Sequence, residues 1–168
     1  KLSRFKFVSK MFSSEDIVLD VGCGSGMSSH FFSKFSKKVI GVDNTDNYLS
    51  YWNEIKSKNL KFIQSDIFNL KLENAENINA IVALDFIEHF NLNEGKKMIQ
   101  NFADLLNKRE GGIFICGTPS KFSQTYRAEH NKKHHLHEYE PGELEALCSK
   151  HFSRVFLFSM NDEMVHTG

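Results

Sequence analysis

The chain has 168 residues and a formal net charge of zero, with 40% hydrophobic and 25% charged residues. This length suits one globular domain, and the composition excludes collagen-like and low-complexity classes and argues against disorder. Basic and acidic residues both number 21, so the basic surplus typical of nucleic-acid-binding proteins is absent. We therefore expect one domain over residues 1–168 and disfavour nucleic acid as a partner, although a local basic patch is compatible with this balance.

Apolar runs alternate with amphipathic segments along the whole chain. This alternation predicts an α/β fold with a doubly wound, mostly parallel sheet and helices on both faces, because strands joined by helices take right-handed crossovers. The runs that we interpret as strands are 17–21, 38–43, 60–64, 80–84, 113–116 and 154–158. Helices are predicted after the glycine-rich turn through Phe35, over 45–57 and 93–108, and from Pro141 through Leu147.

Residues 120–140 interrupt the alternation. This stretch is polar, has no sustained period and contains four of the eight histidines. A long segment of this kind in a compact domain is usually functional, so we predict a loop or lid.

The sequence indicates neither a membrane-spanning protein nor a protein stabilised by disulfides. No stretch approaches the roughly 18 apolar residues of a membrane-spanning helix, and the first residues do not form a signal peptide. The three cysteines, Cys23, Cys116 and Cys148, lack Cys-x-x-Cys spacing, which predicts neither a disulfide framework nor a thiolate zinc site. These observations favour a cytoplasmic location.

The segment Asp20-Val21-Gly22-Cys23-Gly24-Ser25-Gly26 places three glycines where the first strand turns into a helix. Without a Cβ, the backbone can approach a ligand closely there, and ligands on such sheets bind at the carboxyl ends of the strands. The dinucleotide fingerprint G-x-G-x-x-G requires glycine at position 27, which is Met27, and the triphosphate loop G-x-x-x-x-G-K-[ST] is absent. The loop therefore disfavours NAD and nucleoside triphosphates.

The longer string Val18-Leu19-Asp20-Val21-Gly22-Cys23-Gly24-Ser25-Gly26 resembles motif I of class I S-adenosylmethionine-dependent methyltransferases. The resemblance covers nearly the whole chain, because Asp43, Asp66 and Asp85 follow the next three predicted strands in the family's order. It implies a Rossmann-like sheet with a seventh, antiparallel strand. Only residues 164–168 are left for that strand and the chain does not begin with methionine, so we expect both ends to be cut.

S-adenosylmethionine is the cofactor that the resemblance implies. In this family the glycines surround the methionine part, Asp43 holds the ribose hydroxyls, and Asp66 accepts from the adenine amino group. A carboxylate suits two vicinal hydroxyls, whereas the alternative role of either acid is to cap the next helix. Asp20 is expected to orient the loop, and Cys23 to be an ordinary small side chain. The implied cofactor contacts are Asp20, Gly22, Cys23, Gly24, Gly26, Asp43, Asn44, Ser65, Asp66, Ile67, Leu84 and Asp85.

His89 is the first candidate for a catalytic residue. Methyl transfer mainly requires positioning, but a hydroxyl acceptor also needs a base, and histidine titrates near neutral pH. The pair Glu88-His89 after the fourth strand resembles the ubiquinone-biosynthesis type of O-methyltransferase, although a structural or cofactor-edge role is the alternative. His137 is the second candidate, because related enzymes with Thr-Pro-Ser after the fifth strand, here Thr118-Pro119-Ser120, and a later histidine mostly act on small molecules, sugars or lipids.

The cluster His134-His135-Leu136-His137 leaves a metal open as an alternative. In an extended chain His135 and His137 share one face, whereas in a helix His134 and His137 do. Either pair could join Glu88-His89 around an ion, in an arrangement similar to the metal-dependent small-RNA 2′-O-methyltransferases. That pattern favours glutamate where this chain has Asp85, so we predict no metal ligand.

The sequence thus predicts an S-adenosylmethionine-dependent methyltransferase that acts on a hydroxyl of a small-molecule, sugar or lipid acceptor. Two alternatives are a metal-assisted RNA 2′-O-methyltransferase and a non-catalytic cofactor-binding module that serves a partner protein. Specificity in this family lies outside the shared core, so the motifs do not identify the acceptor.

Overall fold

A computed structural model describes residues 2–72, 77–106, 111–121, 134–161 and 164–167. Its central strands are β1 (Ile17–Val21), β2 (Lys38–Asp43), β3 (Leu60–Gln64), β4 (Ala80–Leu84) and β5 (Ile113–Gly117). All five are parallel, in the order β3-β2-β1-β4-β5. The strand order reverses at β1, which confirms the predicted doubly wound α/β sheet and places its ligand edge at the carboxyl ends of the strands.

Helices cover both faces of this sheet. On one face lie α1 (Leu2–Val8) and α2 (Met27–Phe32). The short helix α3 (Leu49–Glu54) connects β2 with β3 in the chain. On the other face lie α4 (Leu92–Leu106) and α5 (Pro141–Cys148). Successive strand residues point to opposite faces, so Val18 packs with the first group whereas Leu19 and Val21 pack with the second. Each face therefore has its own hydrophobic core.

The helix α4 follows the predicted pattern most closely. Its residues Met98, Ile99 and Phe102, spaced three and four apart, are buried against the sheet. The segment predicted as 45–57 instead becomes helical only at Leu49. Thr45 and Asn47 are held by side-chain hydrogen bonds, from Thr45 N to Asp43 and from Asn47 N to Thr45 Oγ1, which compete with helix formation. The first predicted helix likewise ends at Phe32 and not at Phe35.

The prediction of a sixth strand over 154–158 is wrong. Residues 154–157 are irregular, and Phe158 begins β6 (Phe158–Asn161), which pairs antiparallel with β7 (Met164–Thr167) in a separate two-stranded sheet. An apolar run forms a strand only where a neighbouring strand pairs with its backbone. This run is also not buried in the core, since Phe156 is 73% exposed. β7 is antiparallel to β6, but in the described part of the chain neither strand joins the five-stranded sheet, where the resemblance implied a seventh, antiparallel strand.

Of the predicted lid over 120–140, residues 122–133 lie outside the described part of the chain. The described portion returns to the body of the domain, because Tyr139 is buried in the core beneath α4 and α5 and Glu138 is buried beside it. Among the described residues, none of the helices has the length and apolar character needed to cross a membrane.

Candidate functional site

The glycine loop follows β1 and requires glycine for two separate reasons. Gly22, Gly24 and Gly26 have φ angles of 67°, 51° and 83°, a region that residues with a Cβ rarely adopt. In addition, a Cβ on Gly22 would lie within 3.0 Å of the Phe86 ring, which follows β4. The loop is thereby packed against the segment after β4. Its Gly22 and Cys23 amides donate to the Val42 carbonyl oxygen, which holds the loop at the end of β2.

Asp43 ends β2 and is tied to the glycine loop. Its Oδ2 accepts a hydrogen bond from the Gly24 amide at 2.8 Å, and its Oδ1 accepts one from the Thr45 amide at 3.2 Å. A carboxylate has about four acceptor positions, so both oxygens keep capacity for further donors such as ribose hydroxyls. The capping role and the cofactor role are therefore compatible at this residue.

Asp20, in β1 just before the glycine loop, is almost completely buried. It is 2% exposed, and its Oδ2 accepts hydrogen bonds from the hydroxyls of Ser28 at 2.7 Å and Ser29 at 2.6 Å. Burial is the main cause that raises the pKa of Asp20 to about 6, partly offset by the two serines. Asp20 thus joins the end of β1 to the start of α2, as expected for a residue that orients the loop.

This raised pKa predicts a pH dependence of stability. Between about pH 4 and pH 6 the folded chain retains a proton on Asp20 that the unfolded chain, with a pKa near 3.8, has already lost. Stability therefore falls as pH rises through this window. The unfolding free energy of the wild type should therefore be lower at pH 7 than at pH 4, and Asp20 should account for up to about 3 kcal/mol of this difference. We expect Asp20→Asn, which keeps an acceptor for both serines, to abolish that part of the difference. Urea unfolding of wild type and variant at about pH 4 and pH 7 measures these free energies. The same change between the two pH values in both proteins would contradict the raised pKa of Asp20.

The other predicted cofactor residues lie at the same edge with more varied surroundings. Asp66, after β3, is exposed, and its Oδ1 accepts from the Phe68 amide at 2.7 Å, which is the capping role, while Oδ2 is left for other donors. Ser65 is half-buried and donates to the Asp66 carbonyl, Ile67 packs against the core, and Asn44 is exposed. Their cofactor contacts stay predictions.

Asp85, directly after Leu84 at the end of β4, is held by a partner that the sequence analysis missed. Arg4 of α1 forms a two-pronged ion pair with its carboxylate, and the hydrogen bonds that Arg4 donates to Asp85 raise the pKa of Arg4. Asp85 also has a φ of 52°, an unusual conformation for a residue with a side chain. No local sequence pattern links Arg4 to position 85, since the contact depends on how α1 packs.

Cys23 and the other two thiols have no features of nucleophiles. All three cysteines are free, and burial raises the pKa of Cys23 and of Cys116 and raises that of Cys148 to about 11. Thiols, not thiolates, are therefore present at neutral pH. This agrees with Cys23 as a small structural side chain of the loop.

Glu88 and His89 stand next to this cofactor edge, in a short 3-10 turn over Ile87–His89. Glu88 is 0% exposed, and its Oε2 accepts from the Thr118 hydroxyl after β5 at 2.9 Å; burial raises the pKa of Glu88. The Nδ1 atom of His89 lies 3.0 Å from the His134 carbonyl oxygen. The structure therefore brings His89 together with the predicted histidine cluster.

His137, the second predicted catalytic residue, contacts the scaffold. Its Nε2 lies 2.9 Å from Glu143 Oε1, and its ring packs edge-on against Tyr139 with centroids 4.6 Å apart. Its backbone amide donates to the Glu88 carbonyl oxygen. Of the histidines in this segment, the ring of His135 packs against the ring of His89, with centroids 5.2 Å apart.

A cavity of about 310 Å³ lies at the opposite edge of the sheet, where β1, β2 and β3 begin. It is lined by Ile17, Lys37, Lys38, Lys58, Asn59, Leu60 and Lys61. This is the local basic patch that a zero net charge allows. We do not place the cofactor there, because the glycine loop and the acidic residues lie at the other ends of the same strands.

Comparison with known proteins identifies the domain. Residues 18–111, more than half of the chain, match the family described as Methyltransferase domain. Carboxy-S-adenosyl-L-methionine synthase of Staphylococcus epidermidis is 34% identical over 116 residues, which cover 66% of this chain and 48% of that protein. Ubiquinone biosynthesis O-methyltransferase of Coxiella burnetii is 28% identical over 112 residues, covering 65% and 46%. The chain thus spans about half the length of these relatives.

Solved structures show the same fold. The N-methyltransferase NodS of Bradyrhizobium japonicum, in complex with S-adenosyl-L-homocysteine, has a TM-score of 0.71 at 12% identity, covering 94% of this chain and 74% of NodS. Further matches include a C(15)-methyltransferase and a small RNA methyltransferase, so the named acceptors differ widely. The glycine loop, the acid at the end of β2 and the family match agree: the chain belongs to the class I S-adenosylmethionine-dependent methyltransferases.

Proposed function

We propose that residues 1–168 form one domain of an enzyme that transfers the methyl group of S-adenosylmethionine to a hydroxyl oxygen of a small-molecule, sugar or lipid acceptor. The observation that carries the proposal is the position of Asp43 and His89 on either side of the glycine loop. Asp43 ends β2 and His89 follows β4, and these strands flank β1 in the sheet. Cofactor-holding and acceptor-facing groups thus share one edge.

The cofactor would lie along the ends of β1, β2 and β3. In this arrangement Asp43 holds the ribose hydroxyls, the loop amides and Asp85 lie near the methionine part, and Asp66 is the acceptor for the adenine amino group. The described hydrogen bonds leave acceptor capacity on the carboxylates of Asp43 and Asp66, which supports these assignments. An ionised acceptor strengthens such hydrogen bonds to about 1.5–3 kcal/mol each.

His89 is the proposed base. Because the His134 carbonyl only accepts hydrogen bonds, Nδ1 of His89 must donate, and the neutral ring then carries its lone pair on Nε2. Bound S-adenosylmethionine would supply the methyl group, whose S–CH3 bond electrons would stay on the sulfur. Nε2 of His89 would take the acceptor's hydroxyl proton as the new O–CH3 bond formed. The catalytic role of His137 stays a prediction; its contact with Glu143 suits a residue that positions the segment from 134 to 140.

The acceptor class has indirect support. One relative is named as an O-methyltransferase of ubiquinone biosynthesis, and the zero net charge weighs against a large polyanion. A cytoplasmic location fits three free cysteines. RNA is the second candidate acceptor, because Glu88, His89 and His135 form a group that could hold a metal ion, as in the metal-assisted alternative.

Mass spectrometry of reactions with S-adenosylmethionine tests the proposal against phenols, sugars, lipid alcohols and RNA 3′ ends. A methylated alcohol or phenol is expected. Methylation of RNA alone would favour the second candidate, and no product with any acceptor, despite cofactor binding, would favour a non-catalytic module serving a partner.

Replacing His89 by alanine should lower turnover about 100- to 10,000-fold, the usual contribution of general-base catalysis. Cofactor affinity should change by less than tenfold, about 1.4 kcal/mol, because His89 faces the acceptor. His151→Ala, a histidine after α5, is the control and should leave both quantities unchanged. Equal losses in turnover and cofactor binding for His89→Ala would show that the residue supports the cofactor edge instead.

A further inference from the structure

The only tryptophan of the chain, Trp52, contacts the glycine loop directly. It belongs to α3 and is 7% exposed. Its indole Nε1–H donates a hydrogen bond to the Gly24 carbonyl oxygen at 2.8 Å, across 28 positions of the sequence. A buried indole usually finds such a partner, and here the partner is the backbone of the loop that follows β1. None of the sequence motifs described above gives this side chain a role.

Phe62 of β3 holds the Trp52 ring in place. The two rings are stacked, with centroids 5.0 Å apart and planes 7° from parallel. Phe62 also fills the space beside two glycines, since an added Cβ would lie 2.5 Å from its ring at Gly26 and 2.7 Å from it at Gly41. A ring enclosed in this way has little room to move. The stacked pair therefore fixes the direction of the indole N–H toward Gly24.

Gly24 is held at both of its polar backbone groups by side chains from outside the loop. Its amide donates to Asp43 Oδ2 at 2.8 Å, and its carbonyl oxygen accepts from Trp52. In a planar trans peptide the carbonyl and the following N–H point in opposite directions, so the bond from Trp52 also orients the Ser25 amide, away from the indole. Among the described residues, none accepts a hydrogen bond from that amide. The loop therefore contains an oriented donor that is left for another acceptor.

We propose that Trp52 is a positioning residue for the cofactor, whose indole N–H holds the Gly24–Ser25 peptide in the orientation that binds S-adenosylmethionine. This inference rests on the proposed function, and Trp52 acts through the loop without touching the reacting atoms. A glycine-rich loop has several backbone conformations of similar energy. The bond from Trp52 selects one of them before the cofactor binds, which reduces the ordering cost of binding. The alternative is that Trp52 only packs α3 against the sheet.

The Trp52→Phe variant separates these two roles, because phenylalanine can still stack on Phe62 but has no N–H to donate. Calorimetric titration with S-adenosylhomocysteine should show about three- to tenfold weaker binding, the effect expected for the loss of one neutral hydrogen bond. Phe102→Leu is the matched control, because it also makes a buried aromatic side chain smaller, but in α4 on the other face of the sheet. It should lower stability and leave the affinity unchanged.

The wild type offers a second measurement that needs no variant. Because the chain has one tryptophan, its indole N–H gives a single resonance in a nitrogen–proton correlation NMR spectrum. S-adenosylhomocysteine should shift this resonance as it saturates the protein, since the acceptor of the indole hydrogen bond belongs to the peptide that the cofactor meets.

Wild-type affinity in a folded Trp52→Phe variant, with folding checked by thermal unfolding, would overturn the inference, as would an indole resonance that stays unmoved at saturation. An equal loss of affinity in Phe102→Leu would also overturn it, because general destabilisation would then explain both losses. If Trp52→Phe does not fold, the indole resonance decides. If the wild type binds no S-adenosylhomocysteine, the proposed function fails and this inference with it; if the wild type and Trp52→Phe bind equally well, only this inference fails.

Discussion

Replacing Asp43 by alanine should weaken binding of S-adenosylmethionine about 10- to 100-fold. The change removes the proposed acceptor for the ribose hydroxyls, and charged hydrogen bonds of this kind contribute about 1.5–3 kcal/mol. It also removes the partner of the Gly24 amide, so the loop loses one of the hydrogen bonds that join it to the end of β2. Isothermal titration calorimetry with the cofactor and with S-adenosylhomocysteine measures the change directly.

Two further variants separate the causes of this loss. Asp46→Ala removes a nearby exposed carboxylate and should leave the affinity unchanged, which controls for general charge effects. Asp43→Asn keeps one acceptor oxygen for the Gly24 amide but lacks the charge, so it should fall between wild type and Asp43→Ala. If Asp43→Ala binds the cofactor as tightly as the wild type while remaining folded, the ribose site lies elsewhere.

The Gly22→Ala variant should be destabilised by about 2–5 kcal/mol and should lose most of its cofactor affinity. A side chain at a φ of 67° is strained, and its Cβ would overlap the Phe86 ring. Backbone strain of this kind costs about 1–3 kcal/mol and overpacking a similar amount. Urea unfolding measures the stability, and calorimetry measures the cofactor affinity.

Gly111 offers a control for the cost of placing a side chain at a positive φ angle. Gly111 has a φ of 83°, but no described atom lies within 4 Å of the position its Cβ would take. Gly111→Ala should therefore show the strain alone, about 1–2 kcal/mol, with cofactor affinity unchanged. Adding Phe86→Ala to Gly22→Ala should recover part of the affinity if the clash matters. Equal effects of the two glycine variants on stability and on binding would contradict a specific role of the loop.

Local patterns predicted most of the sheet and part of the site. The five strands are short apolar runs bounded by polar residues, and α4 has apolar residues at helical spacing, so periodicity alone located them. The positive φ angles at Gly22, Gly24 and Gly26 follow from the glycines of motif I. Asp43 was predicted because the resemblance to the methyltransferase motifs places an acid at the end of the second strand.

Contacts between distant segments could not be predicted in this way. Nothing near Arg4 indicates that it pairs with Asp85, because the packing of α1 decides that contact. Likewise, alternation within residues 134 to 137 did not predict that the ring of His135 packs against His89, because this contact depends on how the Leu136 and His137 amides bond to the distant Glu88 carbonyl. The run 154–158 failed as a strand because strand formation depends on a neighbour that the run itself does not reveal.

A crystal structure with S-adenosylhomocysteine bound tests the central claim most directly. We predict that both ribose hydroxyls lie within hydrogen-bond distance of Asp43, that the methionine part lies over Gly22 and Gly24, and that the sulfur faces His89. A nucleoside bound at the lysine-lined cavity at the opposite edge, or a ribose held without Asp43, would contradict the account.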